Sequence, residues 1–219
     1  MKIAYNFVSL VALGNFNPAI VTPDFLNKDC ELNLGEPTDQ SPPSIPVHRR
    51  LQFDNLRFTV DMDRVEIMET GIKNISETRI VGYFDSYYKK LPYTPLRAAG
   101  VNINCDLIAE TGTTTEVLLE KISSPQTYLD FFDAKEIDVT EGSLQTKTDK
   151  IWTSSNYRIG NVRGLTRLIN ISKRKDSFNL NYNYEAGNLD QDKSGLQLLL
   201  DGYKQFCDEF LSLVKSLET

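Results

Sequence analysis

Strict alternation of apolar and polar residues is the feature that most limits what this chain can fold into. It is clearest at residues 56–62, 101–107 and 178–184, where every second residue is apolar and the residues between are polar. Successive side chains of a β-strand point to opposite faces, so these segments predict strands with one apolar face and one wet face. An antiparallel sheet is the arrangement that tolerates a solvated face.

Turn residues divide the alternating segments into separate strands. Asp54-Asn55 and Asp63-Arg64 predict three adjacent strands between residues 51 and 71, and Arg174–Ser177 predicts a hairpin turn near the end of the chain. The segment Gly35–Pro46 contains four prolines and predicts a surface loop, because proline cannot donate to a strand ladder.

Two long helices are predicted from capping residues and apolar stripes. Asn74 and Glu77 form a capping box for a helix over 75–91, which Pro92 ends, and Ser194 and Gln197 do the same for a helix over 194–218. The stripe of the second helix is wide enough to lie across a sheet. It consists of Leu196, Leu199, Tyr203, Phe206, Phe210, Leu213 and Leu217. Thr113–Ile122 and Pro125–Phe132 predict short helices.

The order of these elements predicts an α+β fold built from two similar halves, residues 1–92 and 93–219, in a single domain 1–219. Each half reads as strand, short helix, several strands and long helix. This pseudo-twofold β-α-β(n)-α plan predicts a curved antiparallel sheet with the helices 75–91 and 194–218 on one face, as in TATA-binding-protein-like or helix-grip folds. The likeness is one of fold and implies no function.

Composition places the chain among ordinary globular proteins: 219 residues, 40% of them hydrophobic, with a net charge of −6. The three cysteines, Cys30, Cys105 and Cys207, are widely spaced and odd in number, which excludes a disulfide framework and predicts buried thiols. The N-terminal segment from Lys2 to Gly14 reads either as a short secretory signal or as a buried strand. The strand is preferred, since Asn6 and Ser9 interrupt the apolar run, and the predicted location is cytoplasmic.

Residues for catalysis are scarce. His48 is the only histidine and lies at the end of the Pro-rich loop, so a Ser/His or Cys/His site is not expected, although His48 beside Arg49 and Arg50 is compatible with an anion or partner site. Asp61 and Asp63 share a strand face, and two acids so placed either bind a cation or simply face solvent. The sequence predicts a non-enzymatic protein with no cofactor and no metal.

Two segments resemble a known group. Residues 13–20, Leu-Gly-Asn-Phe-Asn-Pro-Ala-Ile, are followed by Pro23 and Phe25, and Tyr93-Thr94-Pro95-Leu96 leads into Gly100-Val101-Asn102. They resemble a sporadically distributed group of uncharacterised bacterial proteins with an FNPAI-type opening and a TP-x(4)-GxN segment in mid-chain. The resemblance implies no activity. Physically, Asn17-Pro18 predicts a turn, and Gly100 allows a neighbouring element to approach closely.

The preferred functional interpretation is a protein-binding or assembly component of a bacterial intracellular system that forms homo-oligomers. The apolar stripe of the last helix is wider than packing on a sheet requires. Any part of the stripe that stays exposed would mark an interface. The residues expected to bind a partner are Tyr203, Phe206, Phe210 and Leu213.

Two alternatives remain open. The first is a helix-grip module that binds a small ligand between the sheet and the last helix, in a pocket lined by Tyr and Phe and addressed by Asn amides. The second is nucleic-acid contact by a saddle-shaped sheet, a weaker hypothesis for an acidic chain. The residues expected to contact an anion or nucleic acid are Arg163, Arg167, Lys173, Arg174 and Lys175.

Overall fold

The fold is an open antiparallel sheet of ten strands with five α-helices among the residues that the structure describes. This computed structural model describes residues 1–42, 47–108, 115–145, 150–162, 164–175 and 177–218. Neighbouring strands are antiparallel throughout, and the sheet is not closed. The predicted α+β class and antiparallel sheet are therefore confirmed.

The strands follow the alternating segments of the sequence, including the first strand, which ends at Gly14 as predicted. The strands are β1 (Lys2–Gly14), β2 (Asp39–Gln40), β3 (His48–Phe53), β4 (Leu56–Asp61), β5 (Arg64–Thr70), β6 (Leu96–Ile108), β7 (Asp138–Gln145), β8 (Lys150–Val162), β9 (Leu165–Lys173) and β10 (Phe178–Ala186). The α-helices are α1 (Ile80–Lys90), α2 (Thr115–Ser123), α3 (Pro125–Phe132), α4 (Ser194–Asp201) and α5 (Tyr203–Ser216).

Both halves of the sheet have the same strand order. The full order is β2-β3-β4-β5-β1-β6-β10-β9-β8-β7, so β1 and β6 pair at the centre. Outward from the centre, each half places its first strand, then its last strand, and then the remaining strands in reverse chain order. Two short turns, Pro18–Ile20 and Phe25–Asp29, stand between the first two strands of one half, where α2 and α3 stand in the other.

One face of the sheet carries the core. Alternate side chains are buried along β4, β9 and β10, and the core also includes Leu10 on β1 and Ile103 on β6. Helix α5 packs on this core face, since the ring of Phe206 lies 4.1 Å from that of Tyr184, and the ring of Phe210 lies 5.7 Å from that of Tyr182. Helix α1 contacts β1 and β5, and α4 contacts β10 and β6.

The helix predicted over 75–91 begins later than expected. Asn74 does act as a cap, because its Oδ1 accepts from the backbone N–H of Ser76 at 3.1 Å and its Nδ2 donates to Glu77 at 3.1 Å. What it caps is a single 3₁₀ turn, Ile75–Glu77, and Thr78 then adopts an extended conformation. Helix α1 starts at Ile80 and ends before Pro92.

The helix predicted over 194–218 is two helices separated at Gly202. A Cβ at this position would lie 2.6 Å from the Phe206 ring and 2.7 Å from the Leu198 carbonyl oxygen, so the tight junction accepts only glycine without rearrangement. The predicted capping box is absent. The Ser194 hydroxyl donates to Asp192 at 2.6 Å, and the Gln197 amide donates to Asp201 at 2.8 Å.

The Pro-rich segment 35–46 is not wholly a loop. Asp39 and Gln40 pair with Gln52 and Leu51 as the short edge strand β2, while residues 43–46 lie outside the described part of the chain. The short helices predicted over 113–122 and 125–132 agree with α2 and α3, except that residues 113–114 lie outside the described part of the chain. The predicted hairpin turn is closed by Arg174 N–H donating to the Ser177 carbonyl, and Asp176 within it is not among the described residues. None of the described helices has the length and apolar character needed to cross a bilayer.

Candidate functional site

The face of the sheet opposite the core, called here the open face, has a row of asparagines at its centre. Asn104, Asn181, Asn170 and Asn156 are direct cross-strand neighbours on β6, β10, β9 and β8. Asn6, at a register shift in β1, extends the row because its Nδ2 donates to Asn104 Oδ1 at 2.9 Å. These five residues, the amide row, place one amide on each of five consecutive strands.

A second line of polar residues runs beside the amide row. Ser9, Asn102 and Asn183 are paired neighbours on β1, β6 and β10, and Asn183 Nδ2 donates to Asn102 Oδ1 at 2.8 Å. Ser9 is only 1% exposed although it faces away from the core. A Cβ at Gly100 would lie 3.1 Å from Asn183 Oδ1, so this glycine provides the close approach expected from the sequence.

Several amides of the open face retain unused hydrogen-bonding capacity. The Oδ1 atoms of Asn181 and Asn183 are buried and accept no hydrogen bond from the residues that the structure describes. A buried acceptor without a donor is unfavourable by about 1–3 kcal/mol. Rotating an amide by 180° exchanges its oxygen and nitrogen, so each of these side chains can present either a donor or an acceptor. The exposed Asn156 and the half-buried amides of the row beside it can therefore meet either a donor or an acceptor of a partner.

Charged side chains on the open face lie around this amide centre and are paired with one another. The pairs are Arg64 with Glu66 at 3.3 Å, Arg158 with Glu185 at 3.3 Å, Arg174 with Asp106 at 2.9 Å, and His48 with Asp61 at 2.6 Å. Each of these four basic side chains thus has a carboxylate beside it, whereas Arg57 on β4 contacts the Met68 sulfur at 3.1 Å. Paired charges of this kind give the face little net field, in contrast to the basic stripe that a polyanion requires.

The four residues expected to bind a partner lie in the core. Tyr203 is 8% exposed, Phe206 is 2% exposed, and Phe210 and Leu213 are fully buried. The Tyr203 hydroxyl donates to the Ile75 carbonyl at 2.7 Å. The wide stripe of the last helix is taken up by the sheet and by the turn at Ile75, so these residues leave no exposed apolar remnant. This corrects the sequence-based expectation.

The five basic residues expected to contact an anion do not form one described surface. Arg167 is fully buried and Arg174 pairs with Asp106, whereas Lys173 and Lys175 are exposed at the β9–β10 hairpin. Arg163 lies outside the described residues. Position 167 falls in the buried register of β9, so its guanidinium belongs to the core, which corrects that part of the prediction.

The buried arginine forms a charged cluster that the sequence analysis missed. Arg167 Nε donates to Glu209 Oε1 at 2.7 Å and its Nη2 donates to Oε2 at 3.3 Å, while the Tyr182 hydroxyl also donates to Oε1. Burial, and then the Glu209 carboxylate, raise the pKa of Tyr182 well above its usual value. The guanidinium also lies 4.8 Å from the centre of the Phe206 ring. The sequence did contain a signal for this cluster, because Arg167 occupies a position on β9 where the alternation of the strand calls for an apolar residue.

The sequence also singled out two other kinds of reactive group, the three cysteines and the acids near His48. Cys30, Cys105 and Cys207 are buried and form no disulfide, as predicted, and burial raises the pKa of the Cys105 thiol to about 12. Such a thiol is protonated near neutral pH and is a poor nucleophile. Asp61 is bound to His48, and no described group of three His, Cys, Asp or Glu residues is placed to hold a metal.

Comparison with known proteins adds no family to this picture. No family model matches the chain, and no curated protein has significant sequence similarity to it.

Proposed function

We propose that this chain is a non-enzymatic protein-binding component of a bacterial intracellular assembly, and that it binds its partner with the open face of the sheet. The observation that carries the proposal is the amide row at the centre of a face on which four basic side chains are paired with carboxylates. Interfaces between proteins combine a centre depleted in charge with a polar rim. The amides supply adaptable donors and acceptors at that centre.

We also propose the finer fold expected from the sequence, a pseudo-twofold saddle with the helices of both halves on one face. Its support is the shared strand order of the two halves, together with the contacts of α1 with β1 and β5, of α4 with β10 and β6, and of α1 with α4. In such an arrangement the open face is the concave side and encloses a partner from two directions.

A protein fits this face better than a nucleic acid does. Phosphate contacts require arginines and lysines that are free to replace counterions. On the open face, Arg158 and Arg174 are already paired with Glu185 and Asp106, and the whole chain has a net charge of −6. The helix-grip alternative requires Asn amides and aromatic rings around one pocket, whereas here the amides lie on the open face and Tyr182, Tyr184, Phe206 and Phe210 pack together in the core.

Site-specific photocrosslinking in bacterial cells that express the full chain tests the proposal. A photoreactive amino acid replaces Asn156 on the open face in one sample and exposed Leu211 on α5 in the matched control. We expect a discrete protein adduct from position 156 and none of the same mass from position 211. An adduct of twice the chain mass identifies a second copy as the partner, in agreement with the predicted homo-oligomer.

A second substitution assigns the adduct to the amide row. Asn170→Arg introduces an unpaired charge between positions 156 and 181 and is expected to abolish the adduct from position 156, whereas Lys204→Glu on α5 leaves it unchanged. Both variants must keep the thermal unfolding midpoint of the parent chain. The proposal is overturned if position 156 gives no discrete adduct, if position 211 gives the same one, or if the crosslinked partner is nucleic acid.

A further inference from the structure

Two clefts occupy corresponding positions in the two halves of the molecule. The 131–138 cleft has a volume of about 970 Å³ and lies between the end of α3 with the segment that follows it, the end of β8, and α5. The 31–34 cleft has a volume of about 850 Å³ and lies between residues 31–34, the β3–β4 turn and α1, with Leu200 of α4 and Tyr203 and Lys204 of α5 completing its wall. In both halves the cleft is bounded by the segment between the first two strands and by the end of a strand at a turn. Both volumes fall within the range of small-molecule sites.

The two clefts differ in charge. The 131–138 cleft has five carboxylates and two basic groups, a net charge of −3, whereas the 31–34 cleft has two of each and is neutral. The carboxylates of the charged cleft are those of Asp133, Glu136, Asp138, Asp208 and Glu209. Its basic groups are Lys135 and Arg158, and Arg158 is already paired with Glu185. The field in this cleft therefore favours a cation.

One of these carboxylates is held in place before any ligand arrives. The Glu209 side chain is 9% exposed, and its two oxygens accept hydrogen bonds from Arg167 at 2.7 and 3.3 Å. Arg167 Nη1 is buried and has no hydrogen-bond partner among the described residues. The cleft thus extends from exposed acids to the buried Arg167–Glu209 pair of the core.

The charged cleft also has an aromatic wall. The half-buried rings of Phe131 and Phe132 are perpendicular, with centres 4.8 Å apart, and Ile137 and Val162 add aliphatic surface. Both residues line the cleft. A ring face attracts a cation, and a ring edge packs against an apolar group.

We propose that the 131–138 cleft binds a small organic cation with an apolar part, of the aryl- or alkylammonium class. Its ammonium group sits among the carboxylates, and its apolar part packs on Phe131 and Phe132. The charge of −3 favours a cation over an anion, the aromatic pair favours a ligand with an apolar part, and the volume accommodates a molecule of this size. No residue of the amide row lines this cleft, so the inference does not rest on the proposed function.

Titration calorimetry with the full chain at low ionic strength tests the inference. Phenethylammonium is the probe, and 3-phenylpropionate, which has the same ring and the opposite charge, is the matched control. We expect saturable binding of phenethylammonium at one site, at least tenfold weaker binding of 3-phenylpropionate, and an affinity for the cation that falls as salt is added. Equal binding of the two probes, or no saturable binding of the cation, overturns the proposal.

Substitutions in the two clefts assign the site. Asp208→Asn combined with Glu136→Gln removes two exposed carboxylates and is expected to weaken phenethylammonium binding about tenfold. The matched control, Glu31→Gln combined with Asp54→Asn, removes two carboxylates from the 31–34 cleft and is expected to leave the affinity unchanged. Equal losses from both pairs would show a general effect of net charge and would overturn the assignment. Photocrosslinking at position 156 reports separately on the proposed function.

Discussion

Each half of the sheet buries an arginine, and the two arginines are stabilised in different ways. Arg49 on β3 is 8% exposed and donates to the carbonyl oxygens of Val21 and Ser41 and to the amide oxygen of Gln40. Arg167 on β9 is fully buried and is held by the Glu209 carboxylate. The same strand order therefore accommodates a cation either with neutral acceptors near an edge or with a counter-charge in the interior. The shared topology does not dictate the chemistry of the core.

The largest expected effect comes from removing the counter-charge. Glu209→Gln leaves the Arg167 guanidinium buried without its carboxylate, and breaking a buried pair in this way lowers the free energy of unfolding by about 3–5 kcal/mol. In the other half, Gln40→Ala removes one neutral acceptor and is expected to lower it by about 1 kcal/mol. Urea unfolding followed by fluorescence measures both. Equal losses would mean that the two arginines are held by interactions of the same kind.

A matched control for this pair lies on the open face. Glu185 forms a partly exposed ion pair with Arg158 at 3.3 Å, and pairs of this kind contribute at most about 1 kcal/mol. Glu185→Gln is therefore expected to change the free energy of unfolding by less than Glu209→Gln does. The reverse order would contradict the burial argument.

The buried thiols predict a common response of the two halves to alkaline pH. Burial raises the pKa of Cys30 to about 11 and that of Cys105 to about 12, from a value of 9.0 for an exposed thiol. Because the folded pKa is raised, each thiol contributes stability that is complete below pH 9 and is lost as pH rises toward 11 or 12. Between pH 8 and pH 10, each thiol is expected to reduce the free energy of unfolding by about 1.4 kcal/mol.

Single cysteine-to-alanine variants isolate the contribution of each thiol to the pH dependence of stability. The stability difference between the parent chain and Cys105→Ala is expected to change by about 1.4 kcal/mol from pH 8 to pH 10, with the parent losing more, and Cys30→Ala is expected to behave alike. Urea unfolding at the two pH values measures this difference. A change for one cysteine alone would show that the thiols of the two halves differ in protection.

Glycine substitutions at the last helices of the two halves are expected to change stability in opposite directions. A Cβ at Gly202, between α4 and α5, meets the Phe206 ring at 2.6 Å, so Gly202→Ala is expected to lower the free energy of unfolding by about 1–3 kcal/mol. A Cβ at Gly82 in α1 meets nothing within 4 Å, and Gly82→Ala is expected to raise stability by about 0.5–1 kcal/mol. Thermal unfolding gives the sign of each. Two changes of the same sign would contradict this contrast.

Local patterns predicted the strands well, because a side-chain period of two is a property of consecutive residues. The same pattern placed the asparagines at 102, 104, 179, 181 and 183 on a wet face, yet it did not show that Asn170 and Asn156 continue the row. That continuity depends on cross-strand register, for example Asn104 on β6 opposite Asn181 on β10. Register between distant strands is set by tertiary packing and is not encoded in any short window.

The two sets of site residues expected from the sequence were wrong for related reasons. The stripe of Tyr203, Phe206 and Phe210 indicates which side of the helix is apolar, but its width alone does not show how much of that side the sheet covers. Arg167 was grouped with its basic neighbours in sequence, whereas its parity with Leu165 and Ile169 assigns it to the core. Strand parity was the stronger of these two signals, because it determines the face on which a side chain lies.

The central pairing of β1 with β6 also has a consequence for synthesis on the ribosome. Gly14 lies opposite Leu96 and Lys2 lies opposite Ile108, so the earliest strand of the nascent chain must wait for a much later segment to complete its ladder. Until then, only the edge of β1 that pairs with β5 is satisfied. The other edge presents unpaired backbone groups beside the apolar side chains of Val8 and Leu10. The seam that joins the halves in the finished protein is thus an unpaired edge during translation, open to chaperones and to aggregation.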